Sequence, residues 1–209
     1  FIIGVKDLLA DGGVFIIEVY YLKELIEKKL FDTIYHEHLS YFTLKTMLAL
    51  MERLEMEVFD ADKTDTHGGS LRVFIQKKNG PHKKAESVKS LLKEEEKSNL
   101  HELSTYTKFA AKIERNKEAL NKLLKSLKSR GKKIAGYGAP AKGNTLLNYF
   151  GIGTELIDYI VDDSSWKQGL YTPGMHIPVV SSEHLHKNKP DYILILAWNF
   201  ADSIISKIS

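Results

Sequence analysis

The chain has 209 residues, of which 43% are hydrophobic and 27% are charged, a composition that is typical of a folded globular protein. Its formal net charge of +3, from 30 basic and 27 acidic side chains, is too small to predict a nucleic-acid-binding surface, and no apolar run approaches the roughly 18 residues that a membrane helix needs. The absence of cysteine excludes disulfides and cysteine-ligated zinc within the chain and fits a cytoplasmic protein.

The first predicted elements are a short helix and a buried strand. Lys6 to Ala10 have a helical pattern that ends at Gly12-Gly13, and the apolar run Val14 to Val19 follows as a strand. Because this run is almost continuously apolar, we expect a strand that is covered on both faces, as in a parallel sheet. The chain starts at Phe1 with no Met and no signal-peptide pattern, which predicts that the natural N-terminus lies upstream.

The segment Tyr35-His36-Glu37-His38 places a phenol, two imidazoles and a carboxylate side by side after this strand. Histidine titrates near neutral pH, and a neighbouring carboxylate or hydroxyl can shift its pKa or fix its tautomer, so the cluster is suited to general base catalysis. The alternative is a polar surface turn. In an extended segment Tyr35 and Glu37 would share one face, with both histidines on the opposite face, whereas a turn would break that alternation.

A helix and two strands are predicted next. The residues from Leu44 to Leu54 carry apolar side chains at helical spacing, and Thr43 is suited to cap the N-terminus of that helix. Met56 to Asp60 and Leu71 to Ile75 are typical of two strands, joined through Thr66 to Ser70. A strand, a helix and two closing strands are how an α/β sheet of this type can end.

Residues 80–130 are rich in Lys, Glu, Ser and Leu and are predicted to form a helical connector. One helix begins at Val88, and a longer helix runs from Phe109 to Leu127. The charge run Lys93 to Lys97 is typical of a solvated helix face.

A second α/β unit is predicted from residue 131 onward, with a short strand, a glycine-rich turn and the helix Thr145 to Phe150. The chain then has three extended segments, Leu156 to Val161, Pro178 to Val180 and Asp191 to Ala197, and a last helix, Asp202 to Ile208. The segment from Asp191 to Ala197 is entered after Pro190 and is expected to be a buried strand.

The glycine-rich turn matches a dinucleotide fingerprint. Gly136-x-Gly138-x-x-Ala141 follows a strand, and Asp162 lies about two dozen residues further on, which is the pattern that binds NAD. Lys142 adds a cation and Asn144 adds an amide, so another phosphorylated ligand is a second interpretation, because a helix N-terminus binds any anion. A purely structural turn is the third.

Three segments are informative as a set. They are residues 31–42 (Phe-Asp-Thr-Ile-Tyr-His-Glu-His-Leu-Ser-Tyr-Phe), 67–73 (His-Gly-Gly-Ser-Leu-Arg-Val) and 136–144 (Gly-Tyr-Gly-Ala-Pro-Ala-Lys-Gly-Asn). In this order they resemble the sugar C-methyltransferase family, whose members act on nucleotide-linked 4-keto-deoxysugars. The resemblance covers essentially the whole chain, and the set is highly specific although the glycine loop alone is not.

The resemblance implies a domain organisation. Family members have an N-terminal zinc-binding region, a middle S-adenosylmethionine-binding domain and a C-terminal Rossmann-like domain. This chain would then be α/β, with the end of a class I methyltransferase-type sheet in residues 1–79, a helical connector in 80–130 and the Rossmann-like domain in 131–209. The zinc region and most of the S-adenosylmethionine site would lie outside this chain, so we expect the chain alone to be inactive.

The resemblance also implies roles for the cluster at residues 35–38, which lines the active site in the family. Methylation of a carbon next to a ketone requires a base that removes a proton from that carbon. His38 is the first choice for that base, and His36 is the alternative. Glu37 would orient or tune the base, and Tyr35 would contact the substrate or stabilise charge on the keto oxygen.

Further contacts follow from the same resemblance. Arg72 would pair with a diphosphate, or would instead form a salt bridge on a strand surface, and Lys142 and Asn144 would bind the phosphates or hold two domains around the ligand. No residue is assigned to a metal. The expected substrate contacts are His67, Ser70, Arg72, Tyr137, Gly138, Lys142 and Asn144, and the weaker candidates for contacting S-adenosylmethionine are Glu18 and Tyr20.

Two other functions compete with this one. An NAD-dependent oxidoreductase or nucleotide-sugar-binding domain rests on the glycine loop and Asp162, but the Tyr-x-x-x-Lys dyad that such an oxidoreductase would need near the loop is absent. The second competing function is that of a non-catalytic nucleotide-binding or oligomerisation module. The expected partner is a nucleotide sugar, with no nucleic acid and no membrane. The sugar, the nucleotide, the methylated carbon and the oligomeric state stay open.

Overall fold

The computed structural model describes residues 1–208, except for the side chain of His67. Its internal contacts divide the chain into two compact units. The first unit comprises Phe1–Leu30 and Leu39–Ala110, and the second comprises Phe31–His38 and Ala111–Ser209. The cluster at residues 35–38 therefore belongs to the same unit as the C-terminal half of the chain, although the sequence on both sides of it belongs to the first unit.

The first unit contains an antiparallel sheet of three strands, in the order β1-β3-β2, with helices packed against it. Its elements are α1 (Ile2–Leu8), β1 (Phe15–Tyr20), α2 (Leu22–Lys28), α3 (Leu44–Arg53), β2 (Met56–Thr64), a 3₁₀ helix (Thr66–Gly68), β3 (Ser70–Lys77), α4 (Glu86–Lys97) and the first residues of α5 (Leu103–Ser129). Its core contains Tyr21, Leu44, Met47, Met51, Leu71, Val73, Ile75, Val88 and Leu91.

The prediction that β1 is covered on both faces is wrong. Among the described strands β1 pairs with β3 alone, and the pairing is antiparallel, with Ile17 opposite Val73. Burial alternates along the strand: Ile16 is 54% exposed, whereas Phe15 and Ile17 pack against the core. The apolar run therefore has the half-buried pattern of an antiparallel strand, and Glu18 lies on the same face as Ile16.

The predicted cap of α3 is confirmed. The Thr43 hydroxyl accepts the Thr46 amide at 3.1 Å, and the Thr46 hydroxyl accepts the Thr43 amide at 3.0 Å, which together form a reciprocal capping box. A third acceptor comes from α4, where the buried Glu95 carboxylate binds the amides of Leu44 at 2.5 Å and Lys45 at 3.0 Å. These contacts satisfy the first amides of α3 and join α3 to α4 within the first unit.

The second unit contains a parallel sheet in the order β6-β5-β4-β7. Its elements are a 3₁₀ helix (Phe31–Thr33), the remainder of α5, β4 (Ile134–Tyr137), α6 (Ala141–Phe150), β5 (Tyr159–Val161), β6 (Val179–Val180), α7 (Ser182–Lys187), β7 (Tyr192–Ile195), a 3₁₀ helix (Trp198–Phe200) and α8 (Ala201–Ile208). The chain adds β5 and β6 on one side of β4 and then β7 on the other. Ligands of open parallel sheets bind beyond the carboxyl ends of the strands at such a reversal.

Two predicted features of the second unit differ from the structure. The last strand was expected to be buried, but β7 is at the edge of the sheet as described and its Tyr192 is 46% exposed. The helix after the glycine loop begins at Ala141 instead of Thr145, so Lys142 and Asn144 lie in its first turn. The short helices α2 and α7 were not predicted, because neither is long enough to show a helical period.

The α/β class is confirmed, and both units combine a sheet with helices. The two units differ from the three predicted segments 1–79, 80–130 and 131–209, because the connector is divided between them. Val88 and Leu91 of α4 belong to the core of the first unit, whereas the buried Ile113, Leu124 and Leu127 of α5 belong to the second. None of the described helices has the length and apolar character that crossing a bilayer requires.

Candidate active site

The segment from Tyr35 to His38 forms a turn. After the 3₁₀ helix Phe31–Thr33, the amide of His38 donates to the carbonyl oxygen of Tyr35 at 2.9 Å. This turn brings the rings of Tyr35 and His38 to a centroid distance of 4.3 Å, while His36 and Glu37 are exposed. The alternation expected of an extended segment therefore does not apply, and the two partly buried side chains are the first and the last of the four.

The hydrogen bonding of His38 defines its tautomer. Its Nδ1 atom lies 2.6 Å from the carbonyl oxygen of the buried Thr33. Because a carbonyl oxygen can only accept, Nδ1 carries the proton, and the lone pair of the neutral imidazole is on Nε2. Glu37 was expected to orient His38, but the group that binds Nδ1 is the carbonyl of Thr33, and Glu37 is exposed. His38 is thus held in a tautomer whose Nε2 can accept a proton.

Tyr35 contributes a proton donor beside His38. Burial raises the pKa of Tyr35, and the negative charges of Glu37 and Asp32 raise it further. The hydroxyl therefore keeps its proton at neutral pH and can donate to an oxygen that acquires negative charge. The adjacent rings of Tyr35 and His38 accordingly combine a donor with a base.

The turn is anchored to two other elements of the second unit. The ring of Phe31 stacks on Phe150 of α6, with centroids 5.1 Å apart and planes 9° apart, and it also contacts Tyr149 at 5.6 Å. Asp32 is 4% exposed, and one of its carboxylate oxygens accepts the indole Nε1–H of Trp198 at 2.6 Å. These contacts place the turn beside α6 and beside the 3₁₀ helix that follows β7.

Gly136 of β4 and Gly138 of the loop between β4 and α6 are required by close packing. Gly138 has φ +85°, and its amide donates to the carbonyl oxygen of Val161 at 2.7 Å. A Cβ at Gly138 would lie 2.7 Å from the Cβ of Ala197, and a Cβ at Gly136 would lie 2.7 Å from Cγ1 of Ile160. The strand and the loop after it therefore need glycine at these two positions for their own geometry, and the fingerprint by itself does not require a dinucleotide.

Asp162, the residue that would bind the ribose of NAD, is engaged within the loop. Its carboxylate accepts the amides of Ala139 at 2.7 Å and Ser164 at 2.9 Å, and it forms a salt bridge with Lys167 at 3.2 Å. Burial acts to raise the pKa of Asp162, but these donors outweigh burial and lower it below its ordinary value. Because both carboxylate oxygens already have donors, the geometry argues against Asp162 as a ribose ligand.

The first turn of α6 presents Lys142 and Asn144. The Lys142 ammonium lies 4.3 Å from the ring centroid of Trp198, and burial lowers its pKa while the negative charge of Asp32 opposes that shift. Asn144 donates from Nδ2 to the carbonyl oxygen of Pro140 at 3.3 Å. Its buried Oδ1 has no hydrogen-bond partner within the described part of the chain. This end of the sheet therefore offers a cation and an unpaired acceptor, which suit a ligand with an anionic group and a hydrogen-bond donor.

Four of the predicted contacts whose side chains the structure describes belong to the first unit. Arg72 of β3 lies opposite Glu18 of β1, and its Nη2 is 2.7 Å from Oε2 of Glu18. The other oxygen of Glu18 accepts the hydroxyl of Thr64 at 3.2 Å. Ser70 is buried and faces Tyr20 across the strand pair. Arg72 therefore forms a salt bridge with Glu18 on the strand surface. This is the second of the two roles that the sequence left open for Arg72.

Tyr137 and His67 are the remaining predicted site residues. The Tyr137 hydroxyl donates to Asp163 at 3.3 Å, which directs it along the carboxyl edge of the parallel sheet. The side chain of His67 lies outside the described residues. Within the described residues, no group of three or more His, Asp and Glu side chains is arranged to hold a metal ion.

Three residues that hold the turn were not among the predicted site residues: Asp32, Thr33 and Trp198. Trp198 follows Asp32 by 166 positions, and no spacing rule connects two residues so far apart. The available signal was chemical, because a carboxylate in the apolar segment Phe31 to Ile34 requires a donor. An indole N–H in a packed region likewise requires an acceptor.

Comparison with known proteins identifies the family. Residues 65–209 match the model of the C-methyltransferase C-terminal domain. The chain is also 42% identical to the C-methyltransferase NovU of Streptomyces niveus over 202 residues, which are 97% of this chain and 48% of the relative. The chain therefore spans about half the length of that relative. Since the family model covers well over half of its residues, the chain belongs to the C-methyltransferase family.

Proposed function

We propose that the protein to which this chain contributes methylates a carbon of a nucleotide-linked keto-deoxysugar, and that His38 removes the proton from that carbon. The observation that carries the proposal is the 2.6 Å hydrogen bond between Nδ1 of His38 and the carbonyl oxygen of Thr33. This bond leaves the basic lone pair on Nε2, where a general base needs it. Membership in the C-methyltransferase family supports carbon as the methylated atom.

The chemistry follows from the acidity of a carbon next to a ketone. Nε2 of His38 takes the proton, the electrons of the C–H bond form the carbon–carbon double bond of an enolate, and negative charge develops on the keto oxygen. The Tyr35 hydroxyl, whose ring lies 4.3 Å from that of His38, donates to this oxygen and stabilises the charge. The enolate carbon is then the nucleophile for methylation.

S-adenosylmethionine supplies the electrophilic methyl group when it is bound. Two residues of this chain were candidates for contacting it, and the carboxylate of one of them, Glu18, is paired with Arg72 and bound by Thr64. We therefore assign no described residue to the methyl donor and derive only the proton transfer and the substrate contacts from this chain.

The nucleotide-sugar substrate would bind at the carboxyl edge of the parallel sheet. The strand order, with β4 and β7 adjacent at the point of reversal, supports a Rossmann-like arrangement in which ligands bind at this edge. Lys142 would pair with the diphosphate, and the unpaired Oδ1 of Asn144 would accept a donor from the sugar or the base. Gly138 allows the backbone of the loop to pack closely against Ala197 at this edge.

Substitution of the two histidines tests the proposal, with the exposed His36 as the matched control for His38. In the intact protein we expect His38→Ala to lower kcat of methyl transfer by roughly 10²- to 10⁴-fold, the usual contribution of a general base. Substrate affinity, measured by calorimetry, should be retained. His36→Ala should leave turnover within about threefold of the wild type, well short of that loss. Unchanged turnover in His38→Ala would contradict the proposal, and a loss confined to His36→Ala would assign the base to His36.

A further inference from the structure

We propose that Asp32 and Trp198 are positioning residues that fix the tautomer and the orientation of His38. Their hydrogen bond joins the 3₁₀ helix before the Tyr35–His38 turn to the 3₁₀ helix after β7. The inference rests on the proposed function only where it predicts an effect on methyl transfer. The effect on the imidazole itself is independent of that function.

His38 is held through its ring nitrogen Nδ1. Its Nδ1 depends on the carbonyl of Thr33, the last residue of a 3₁₀ helix that has only three residues. So short a helix forms too few hydrogen bonds to be stable without outside contacts. The position of the Thr33 carbonyl is therefore set by what the segment Phe31–Thr33 contacts.

Two contacts anchor this segment. Phe31 stacks on Phe150, a contact between apolar rings that form no hydrogen bond with each other. Asp32 instead forms a directional bond of 2.6 Å to the indole of Trp198. One carboxylate thus joins the 3₁₀ helix to a side chain 166 positions away in the sequence. Of the two anchors, it is the one that fixes the direction of the Thr33 carbonyl.

Trp198 is itself held by neighbouring residues. Lys142 of α6 lies over its ring at 4.3 Å, and the preceding residue, Ala197, packs against Gly138 of the glycine loop. A continuous set of contacts therefore runs from the carboxyl edge of the parallel sheet through Trp198, Asp32 and Thr33 to His38. In this arrangement, the binding edge of the sheet and the base keep a fixed relation to each other.

The experiment uses the fact that the chain contains two tryptophans. Trp166 is 89% exposed, so Trp166→Phe is the matched control for Trp198→Phe. The ¹⁵N shifts of the ring nitrogens of His38 in the 209-residue chain report its tautomer at a pH where the ring is neutral. We expect the Nδ1–H tautomer to dominate in the wild type and in Trp166→Phe. Trp198→Phe should show a mixture, with the Nε2–H form increased at least severalfold.

A second pair of variants separates positioning from folding. Asp32→Asn keeps an oxygen that accepts the indole N–H, whereas Asp32→Ala removes the acceptor. We expect Asp32→Asn to retain the wild-type tautomer and Asp32→Ala to lose it, in samples whose amide spectra show that the parallel sheet is intact. In the intact protein, Trp198→Phe should lower kcat roughly 10- to 100-fold, as small misplacements of catalytic groups do. KM should change less than kcat.

The outcomes are distinguishable. An unchanged His38 tautomer in both Trp198→Phe and Asp32→Ala would overturn the inference. A changed tautomer with unchanged methyl transfer would support the positioning of His38 and would instead contradict its role as the base.

Discussion

Gly138→Ala is the substitution whose cost the structure defines best. The left-handed φ of +85° destabilises a residue with a Cβ by about 1–2 kcal/mol. Alanine also restricts the unfolded chain, which offsets roughly 0.4–1 kcal/mol of that cost. The added methyl would also lie 2.7 Å from the Cβ of Ala197, well inside the normal carbon contact distance of about 3.5–4.0 Å. Such overpacking costs about 1–3 kcal/mol, so the free energy of unfolding should fall by about 3 kcal/mol.

Two glycines of the same unit separate these contributions. Gly151, at the end of α6, has φ +67°, and apart from its neighbours along the chain no described heavy atom lies within 4 Å of the position that a Cβ would occupy. Gly151→Ala should therefore lose only the backbone contribution, about 1 kcal/mol. Gly136 has no positive φ, but its Cβ would meet Ile160 at 2.7 Å, so Gly136→Ala reports the steric contribution. Urea denaturation at equal m-values measures all three. A cost for Gly138→Ala no larger than that for Gly151→Ala would refute the reasoning.

Two further predictions concern buried carboxylates. Glu95→Ala removes the acceptor of the Leu44 and Lys45 amides and should lower the free energy of unfolding by about 1.5–3 kcal/mol in urea denaturation; an equal loss in the exposed neighbour Glu96→Ala would contradict this. The pKa of Asp162 is lowered because its donors outweigh burial, so its carboxylate stabilises the fold above the unfolded pKa of about 3.9, and this contribution is lost as pH falls through the folded pKa. Asp162→Asn should therefore be less stable than wild type at pH 7, with a difference that shrinks below about pH 4; a difference that is constant with pH would argue against it.

Local patterns were sufficient to predict much of the fold. The apolar spacing from Leu44 onward predicted α3, and Thr43 predicted its cap, because a helix N-terminus needs a side-chain acceptor that the sequence shows directly. The short strand β4 and the glycine turn after it were also predicted from residues that are adjacent in the sequence. The glycines at 136 and 138 are needed where backbones approach closely, and this need is local to the strand and its turn.

Features that depend on distant contacts were not predictable. The apolar run of β1 fits a parallel or an antiparallel strand, and its pairing with β3 decides between them. The four residues of the cluster were found by their chemistry, but the turn that brings Tyr35 and His38 together follows a segment that hydrogen-bonds to Trp198 through Asp32. A hydrogen bond between residues 166 positions apart has no periodicity in the sequence.

The most direct test of the central claim is exchange of the substrate's acidic proton. The intact protein, with S-adenosylhomocysteine in place of the methyl donor, would be incubated with the nucleotide keto-deoxysugar in D₂O, and deuterium at the carbon next to the ketone would be measured by NMR. If His38 is the base, the wild type and His36→Ala incorporate deuterium, and His38→Ala loses the enzymatic exchange by about 100-fold or more. Equal deuterium incorporation by His38→Ala and the wild type would contradict the assignment of His38 as the base.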